Sequence, residues 1–193
     1  MAPRWTFRSA ALLSLMALGA CAGATTITRI DYDPFYSPDV VRYLTQNGKM
    51  ATVVRGTPVG SAKVANAESV ATTLKSPGWF PRFQFTTRPD PDTRTDYRIV
   101  LVFNPVHPAP GGPAVCESNG DLPVKTDTTQ IRVQAAFCYK GDAITQLFAQ
   151  GPAVESLDDP RFDSFMRQTI ATLLPQRNTE PEPPETAGPN WWN

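Results

Sequence analysis

The chain has 193 residues, with 18 Lys plus Arg against 18 Asp plus Glu, 41% hydrophobic residues and one histidine. A balance this even provides no basic face to displace counterions from phosphates, which excludes nucleic acid as an expected partner. The apolar fraction is enough for one ordinary domain with a real interior.

At the N-terminus Arg4 and Arg8 precede an apolar run, Ala10 to Ala20, that ends in Leu18-Gly19-Ala20-Cys21. Eleven residues at about 1.5 Å rise make a helix of roughly 16 Å, too short for a hydrocarbon layer of about 30 Å. Residues 1–20 therefore read as an export signal peptide, not a membrane span. Leu-Gly-Ala-Cys resembles a bacterial lipobox, which implies cleavage before Cys21 and lipidation of its sulfur and new amino terminus. At about 0.8 kcal/mol per buried methylene, more than one acyl chain gives lasting membrane attachment. Ala20-Cys21-Ala22 also fits an ordinary small-x-small cleavage site, which would release a soluble protein. Residue 22 is Ala, not Asp, a pattern similar to lipoproteins sent to the outer membrane. The expected location is the outer membrane, lipid-anchored and facing the periplasm.

Residues 21–36 read as a lipidated tether, within which Ile27 to Tyr32 is a candidate edge strand. Ser37-Pro38-Asp39 predicts a helix start: a capping hydroxyl, proline at the first helical position and an acid at the positive dipole end. The β-branched turn from Val40 to Thr45 is a weak continuation, and Asn47-Gly48 ends it. Met50 to Arg55 is a strand candidate closed by Gly56. From Ser61 the period lengthens, and Val64, Ala67, Ala71 and Leu74 predict a helix capped by Ser61 and ended by Pro77-Gly78. Trp79 and Phe80 follow as apolar anchors, and Phe83 and Phe85 alternate with Arg82 and Gln84 as a strand does. Arg88 to Thr95 reads as a turn. Tyr97 to Phe103 is the strongest strand, apolar on both faces and so internal to a sheet, and Asn104-Pro105 stops it. Val106 to Thr129 reads as a long irregular loop.

Ile131 to Tyr139 alternates again, placing Cys138 opposite the aromatic face. Gly141-Asp142 suits a hairpin turn, with Ala143 to Gln150 returning. Asp158-Asp159-Pro160 starts a last helix whose apolar face is Phe162, Phe165, Met166, Thr169, Ile170 and Leu173. The expected fold is an α+β two-layer sandwich, a mainly antiparallel sheet of four to five strands with two helices on one face, spanning residues 37–177. Residues 178–193, with four prolines and three glutamates, read as a disordered tail.

Setting Cys21 aside leaves Cys116 and Cys138, an even pair in an exported chain, which predicts a disulfide worth about 3 kcal/mol by loop closure. A redox or zinc role fits poorly without a Cys-x-x-Cys or partner histidines. His107 has no nucleophile signature beside it, and Asp90 and Asp92 lack a third acid for calcium, as do Asp31 and Asp33. The expected catalytic, cofactor and metal sites are therefore none. Trp191-Trp192 at the C-terminus is a candidate partner contact, because indoles on an exposed arm suit a groove or a lipid interface; an unconstrained chain end is the plainer alternative.

Tyr97-Arg98-Ile99-Val100-Leu101-Val102-Phe103-Asn104-Pro105 and Ala135-Ala136-Phe137-Cys138-Tyr139-Lys140-Gly141 resemble segments of a group of uncharacterised proteobacterial envelope lipoproteins. That resemblance covers most of residues 30–175 and implies fold, not activity. Two expectations follow: a non-enzymatic lipid-anchored protein that binds an envelope protein partner, or an envelope enzyme or small-ligand binder with a site between the sheet and the 106–129 loop.

Overall fold

A computed structural model describes residues 24–59, 66–108, 112–126 and 129–178. Cys21, Ser61, Val64, Trp191 and Trp192 lie outside the described residues. In chain order the elements are β1 Thr26–Tyr32, α1 Pro38–Leu44, β2 Lys49–Arg55, α2 Ala67–Thr73, β3 Gln84–Thr86, β4 Tyr97–Phe103, α3 Gly112–Glu117, β5 Gln130–Tyr139, β6 Asp142–Pro152 and α4 Pro160–Leu173. The fold is α+β, but the sheet differs from expectation: among the described residues it has six strands in the order β1-β6-β5-β4-β2-β3 and is mixed. Strand β2 runs parallel to both β3 and β4, with α2 falling between β2 and β3 in the chain. The remaining pairs, β1 with β6, β6 with β5 and β5 with β4, are antiparallel.

Strand β4 sits inside the sheet as its two-sided apolar pattern requires, and Ile99 to Phe103 are all fully buried. One face carries Ile99, Leu101 and Phe103 with Ile131, Val133, Ala135 and Phe137 of β5, beneath Val41 and Leu44 of α1, Val70 and Ala71 of α2 and the apolar stripe of α4. Those six α4 side chains, Phe162, Phe165, Met166, Thr169, Ile170 and Leu173, are all buried. The opposite face is also covered. Val100, Val102, Ala136 and Cys138 pack against Val115 and Cys116 of α3. The expectation of two helices on one face is thus corrected to four helices among the described residues, on two faces. Helix α3 was hidden because Gly111-Gly112-Pro113 reads as a turn, yet proline fits the first turn of a helix, where its missing N–H costs nothing.

Local starts and stops follow the side chains. Ser37 caps α1 by accepting from Asp39 N, and Asp159 caps α4 by accepting from Arg161 N, each with proline next in line. The described part of α2 begins later than the spacing suggested, at Ala67, because Asn66 in extended backbone accepts from Ser69 N at 2.7 Å. Asn104 ends β4 in left-handed backbone, φ 50°, a conformation asparagine tolerates. Its Nδ2 donates to Thr57 O at 2.8 Å while its Oδ1 accepts from Arg132 N at 2.9 Å, so one side chain stitches three segments together. Gly56, φ 71°, is required where the chain leaves β2, since a Cβ there would lie 2.4 Å from the Phe103 carbonyl oxygen. The β5–β6 turn falls one residue earlier than expected, at Lys140-Gly141, with Tyr139 paired to Asp142. Strand β1 is an edge strand, as expected of Ile27 to Tyr32, and it takes up much of the segment read as a tether.

Cys116 and Cys138 form a disulfide with Cα atoms 5.7 Å apart, pinning α3 to β5 through an apolar layer. Replacing both by Ser in one chain is expected to lower stability by about 3 kcal/mol. At about 2–4 °C per kcal/mol for a domain this size, the melting temperature followed by circular dichroism falls by about 6–12 °C.

Candidate functional site

The end of α4 leaves carbonyls that the helix cannot satisfy. Four successive ones are met by side chains from four different places. Tyr32 Oη donates to Thr172 O at 2.9 Å, Thr145 Oγ1 to Leu173 O at 2.6 Å, Trp79 Nε1 to Leu174 O at 3.0 Å and Tyr36 Oη to Pro175 O at 2.7 Å. Burial, with Tyr32 beside it, pushes the Tyr36 hydroxyl well above the usual phenol range, so it remains a donor at every ordinary pH. Beyond these bonds, Asn178 Nδ2 donates to Asp33 O at 2.9 Å and Pro34 O at 3.0 Å. The chain therefore leaves the described domain against the β1–α1 connection.

That connection forms one wall of a cavity of about 320 Å³ lined by Asp33, Phe35, Tyr36, Val40, Tyr97, Phe137, Tyr139, Asp142 and Ile144, with Ser37 and Ala143. Its floor is aromatic. Tyr97 lies 4.6 Å from Tyr139 and 6.2 Å from Phe137, centroid to centroid, and Lys140 Nζ sits 5.3 Å from the Tyr139 ring centre. Phe35 at the rim is 87% exposed, and Tyr139 is 38% exposed. Two partly or largely exposed rings, Phe35 and Tyr139, thus border the same cavity. The polar groups at the mouth, Asp33 and Asp142, are exposed.

A second, wider groove of about 1,150 Å³ is lined by Lys49, Lys75, Arg82 and Arg167 among others. Most of that charge is already engaged. Lys49 pairs with Asp90, while Lys75 and Arg167 both pair with Asp163, whose carboxyl is held below the usual range chiefly by the Lys75 hydrogen bond. A third hollow of about 420 Å³ lies beside Thr52, Arg98 and Asn119, where Arg98 donates to Asn119 Oδ1 and Cys116 O, each at 2.7 Å.

His107, Glu117 and Asp121 are exposed, and none of them lines these three cavities. Asp90, read as part of a solvated turn, accepts from Thr93 Oγ1 at 2.6 Å as well as from Lys49. Asp31 accepts from Gln146 Nε2 at 2.9 Å, and Asp33 Oδ1 accepts from Phe35 N at 2.8 Å. Among the described residues no group of three or more His, Cys, Asp or Glu is placed to hold a metal ion. No helix among them is long and apolar enough to cross a membrane. The aromatic cavity itself escaped sequence reasoning, since its walls come from four separated segments. One signal was present: Tyr36 precedes the Ser37 cap, the position from which an apolar ring staples a helix start. No family model, no curated protein and no solved structure matches the chain.

The Asp90 carboxyl is lowered to about 2, first by the Lys49 hydrogen bond and then by Thr93. Because the folded value lies below the roughly 3.9 of an unfolded chain, its contribution is present above about pH 4 and is lost as pH falls through about 2. Carboxyl-detected NMR titration is expected to place its midpoint near 2. Lys49→Met should return that midpoint towards the ordinary range, and an unmoved midpoint would exclude Lys49 as the cause.

Proposed function

We propose that this chain is an outer-membrane lipoprotein, acylated at Cys21, whose periplasmic domain binds another envelope protein without catalysing a reaction. The observation that carries the reading is the opposed placement of the two chain ends. Strand β1 starts at Thr26, opposite Gln150 near the end of β6, and finishes at Tyr32 opposite Thr145, beside the β5–β6 hairpin. Seven residues at about 3.3 Å each separate these poles by roughly 20 Å. The lipidated end thus enters at one pole, and the tail leaves from Asn178 at the other, where it bonds Asp33 and Pro34.

From Cys21 to Thr26 the chain can span at most about 18 Å, so an acylated domain stays close to the bilayer with its hairpin pole turned outward. Trp191 and Trp192, which follow Asn178 in the sequence, are the proposed contact with the partner. The non-catalytic part of the reading is supported by the state of the polar groups: every buried side-chain nitrogen and oxygen among the described residues has a hydrogen-bond partner. Between the sheet and the described part of the segment after β4, Val115, Cys116, Leu122 and Val124 fill much of the interval proposed for an enzyme site, leaving the hollow beside Thr52, Arg98 and Asn119.

Two measurements test this. Cys21→Ala is expected to move the protein from the membrane to the soluble fraction of fractionated envelopes; continued lipid attachment overturns the anchor. Crosslinking in native envelopes, read by mass spectrometry, is expected to lose its main product when Trp191 and Trp192 are both changed to Ala. Unchanged recovery would remove the tail from the partner contact.

A further inference from the structure

We propose that the aromatic cavity beside Asp33 is filled by this chain's own C-terminal Trp191-Trp192 segment, held in cis until a partner takes it. This goes beyond the partner reading above and does not depend on the lipid anchor.

The place where the described chain ends is the first argument. Asn178 is bonded to the carbonyls of Asp33 and Pro34, and Asp33 and Phe35 are themselves walls of the cavity. The tail is thus launched from the rim, and the Tyr36 bond to Pro175 O fixes that launch point from inside. Length is the second argument. Twelve residues lie between Asn178 and Trp191, and the thirteen steps span about 45 Å when extended and about 20 Å as a flexible coil. Either reach exceeds the distance to a cavity that begins one hydrogen bond away. Gly188-Pro189, just before the indoles, is a dipeptide that favours a turn. An arm of this length presents its end at a local concentration in the millimolar range, so even a weak intrinsic affinity fills the site.

The chemistry of the two sides is the third argument. A volume of about 320 Å³ is at the lower end of binding cavities, about 300–1,000 Å³, and suits one indole better than a large ligand. Tyr97, Tyr139 and Phe137 offer ring faces for offset or edge contacts, and the exposed Phe35 covers a second ring at the rim. An indole is a donor only, and the polar groups at the mouth, the Asp33 and Asp142 carboxylates, are acceptors only. Lys140 beside Tyr139 puts a positive charge at the cavity, opposite in sign to Glu180, Glu182 and Glu185 of the tail.

The test uses the chain from residue 21 onward carrying Cys21→Ser and Trp79→Phe, so that all tryptophan emission comes from Trp191 and Trp192. Docking is expected to shift that emission to the blue and to make acrylamide quenching several-fold weaker than in a synthetic peptide of residues 179–193, independently of protein concentration. Phe35→Ser with Tyr139→Ser should restore the peptide's quenching with an unchanged far-ultraviolet spectrum. If Trp79→Phe disturbs the fold, the difference between the chain with Trp79 intact and the same chain carrying Trp191→Phe and Trp192→Phe yields the same quantity. Peptide-like quenching in the parent chain overturns the proposal. So does shielding that rises with concentration, which would mean a second copy, or shielding that needs phosphatidylethanolamine–phosphatidylglycerol vesicles, which would mean a lipid surface. Because the readout is intramolecular, its failure leaves the anchor and the partner contact standing.

Discussion

Four carbonyls at the end of α4 have to find donors, and the way they find them locks distant parts of the chain together. Tyr32 comes from β1, Tyr36 from the connection to α1, Trp79 from the segment after α2 and Thr145 from β6. Each bond alone contributes about 1 kcal/mol, but an unmet buried carbonyl would cost up to about 3 kcal/mol, so the four donors cannot drift independently. The helix can offer its end in that position only because its apolar face is seated on the sheet by Phe162, Phe165 and Ile170, each 0–1% exposed. Glycine at position 151 is part of that seat, since a Cβ there would meet the Phe165 ring at 2.8 Å.

Beneath α4 the sheet has to be covered on both faces, and this explains the uneven layers. Strand β4 and its neighbour β5 present Ile99, Leu101 and Phe137 to the large helical side and Val100, Val102 and Ala136 to the other. Val100, Val102, Ala136 and Cys138 on the second side are small or β-branched, so a six-residue helix and the turn after it suffice to cover them. Gly120, φ 75°, lets that turn lie flat, with Val100 so close that a Cβ would sit 2.9 Å from it. A helix as short as α3 cannot hold itself, because nucleation is costly and few bonds repay it. The bond from Cys116 to Cys138 supplies what its length does not.

The parts of this fold legible in the sequence were those where a single segment carries its own signal. Tyr97 to Phe103, Ile131 to Tyr139 and the stripe from Phe162 to Leu173 were readable because period and burial agree within seven to fourteen residues. The same holds for Ser37 and Asp159, where cap and proline are adjacent. Pairing direction was not legible. Nothing in Met50 to Arg55 distinguishes a parallel neighbour from an antiparallel one, and β3, three residues long, joins the sheet through Phe85 opposite Met50. Helix α3 was hidden because its opening glycines and proline carry a turn signal stronger than its brief apolar content. The cavity was invisible for a further reason: Phe35, Tyr97, Tyr139 and Ile144 converge only after three strand pairings have been made.

Those pairings also set what a partner would have to achieve. With Cys21 acylated as proposed, a link of five residues keeps the Thr26 pole near lipid, while α4 delivers the tail at the opposite pole. Indoles docked in cis are not free to bind. A partner's apparent affinity is then its intrinsic affinity reduced by the fraction of tails undocked, so casual apolar encounters in a crowded envelope are suppressed while a well-matched groove still competes. The exposed ring of Phe35 has a place in that scheme, since a side chain 87% in water contributes little to the fold and is available to a second indole. Stability and recognition are thereby separated in this domain: the donors at the α4 terminus hold the chain exit, and the aromatic walls beside that exit are left to the proposed tail.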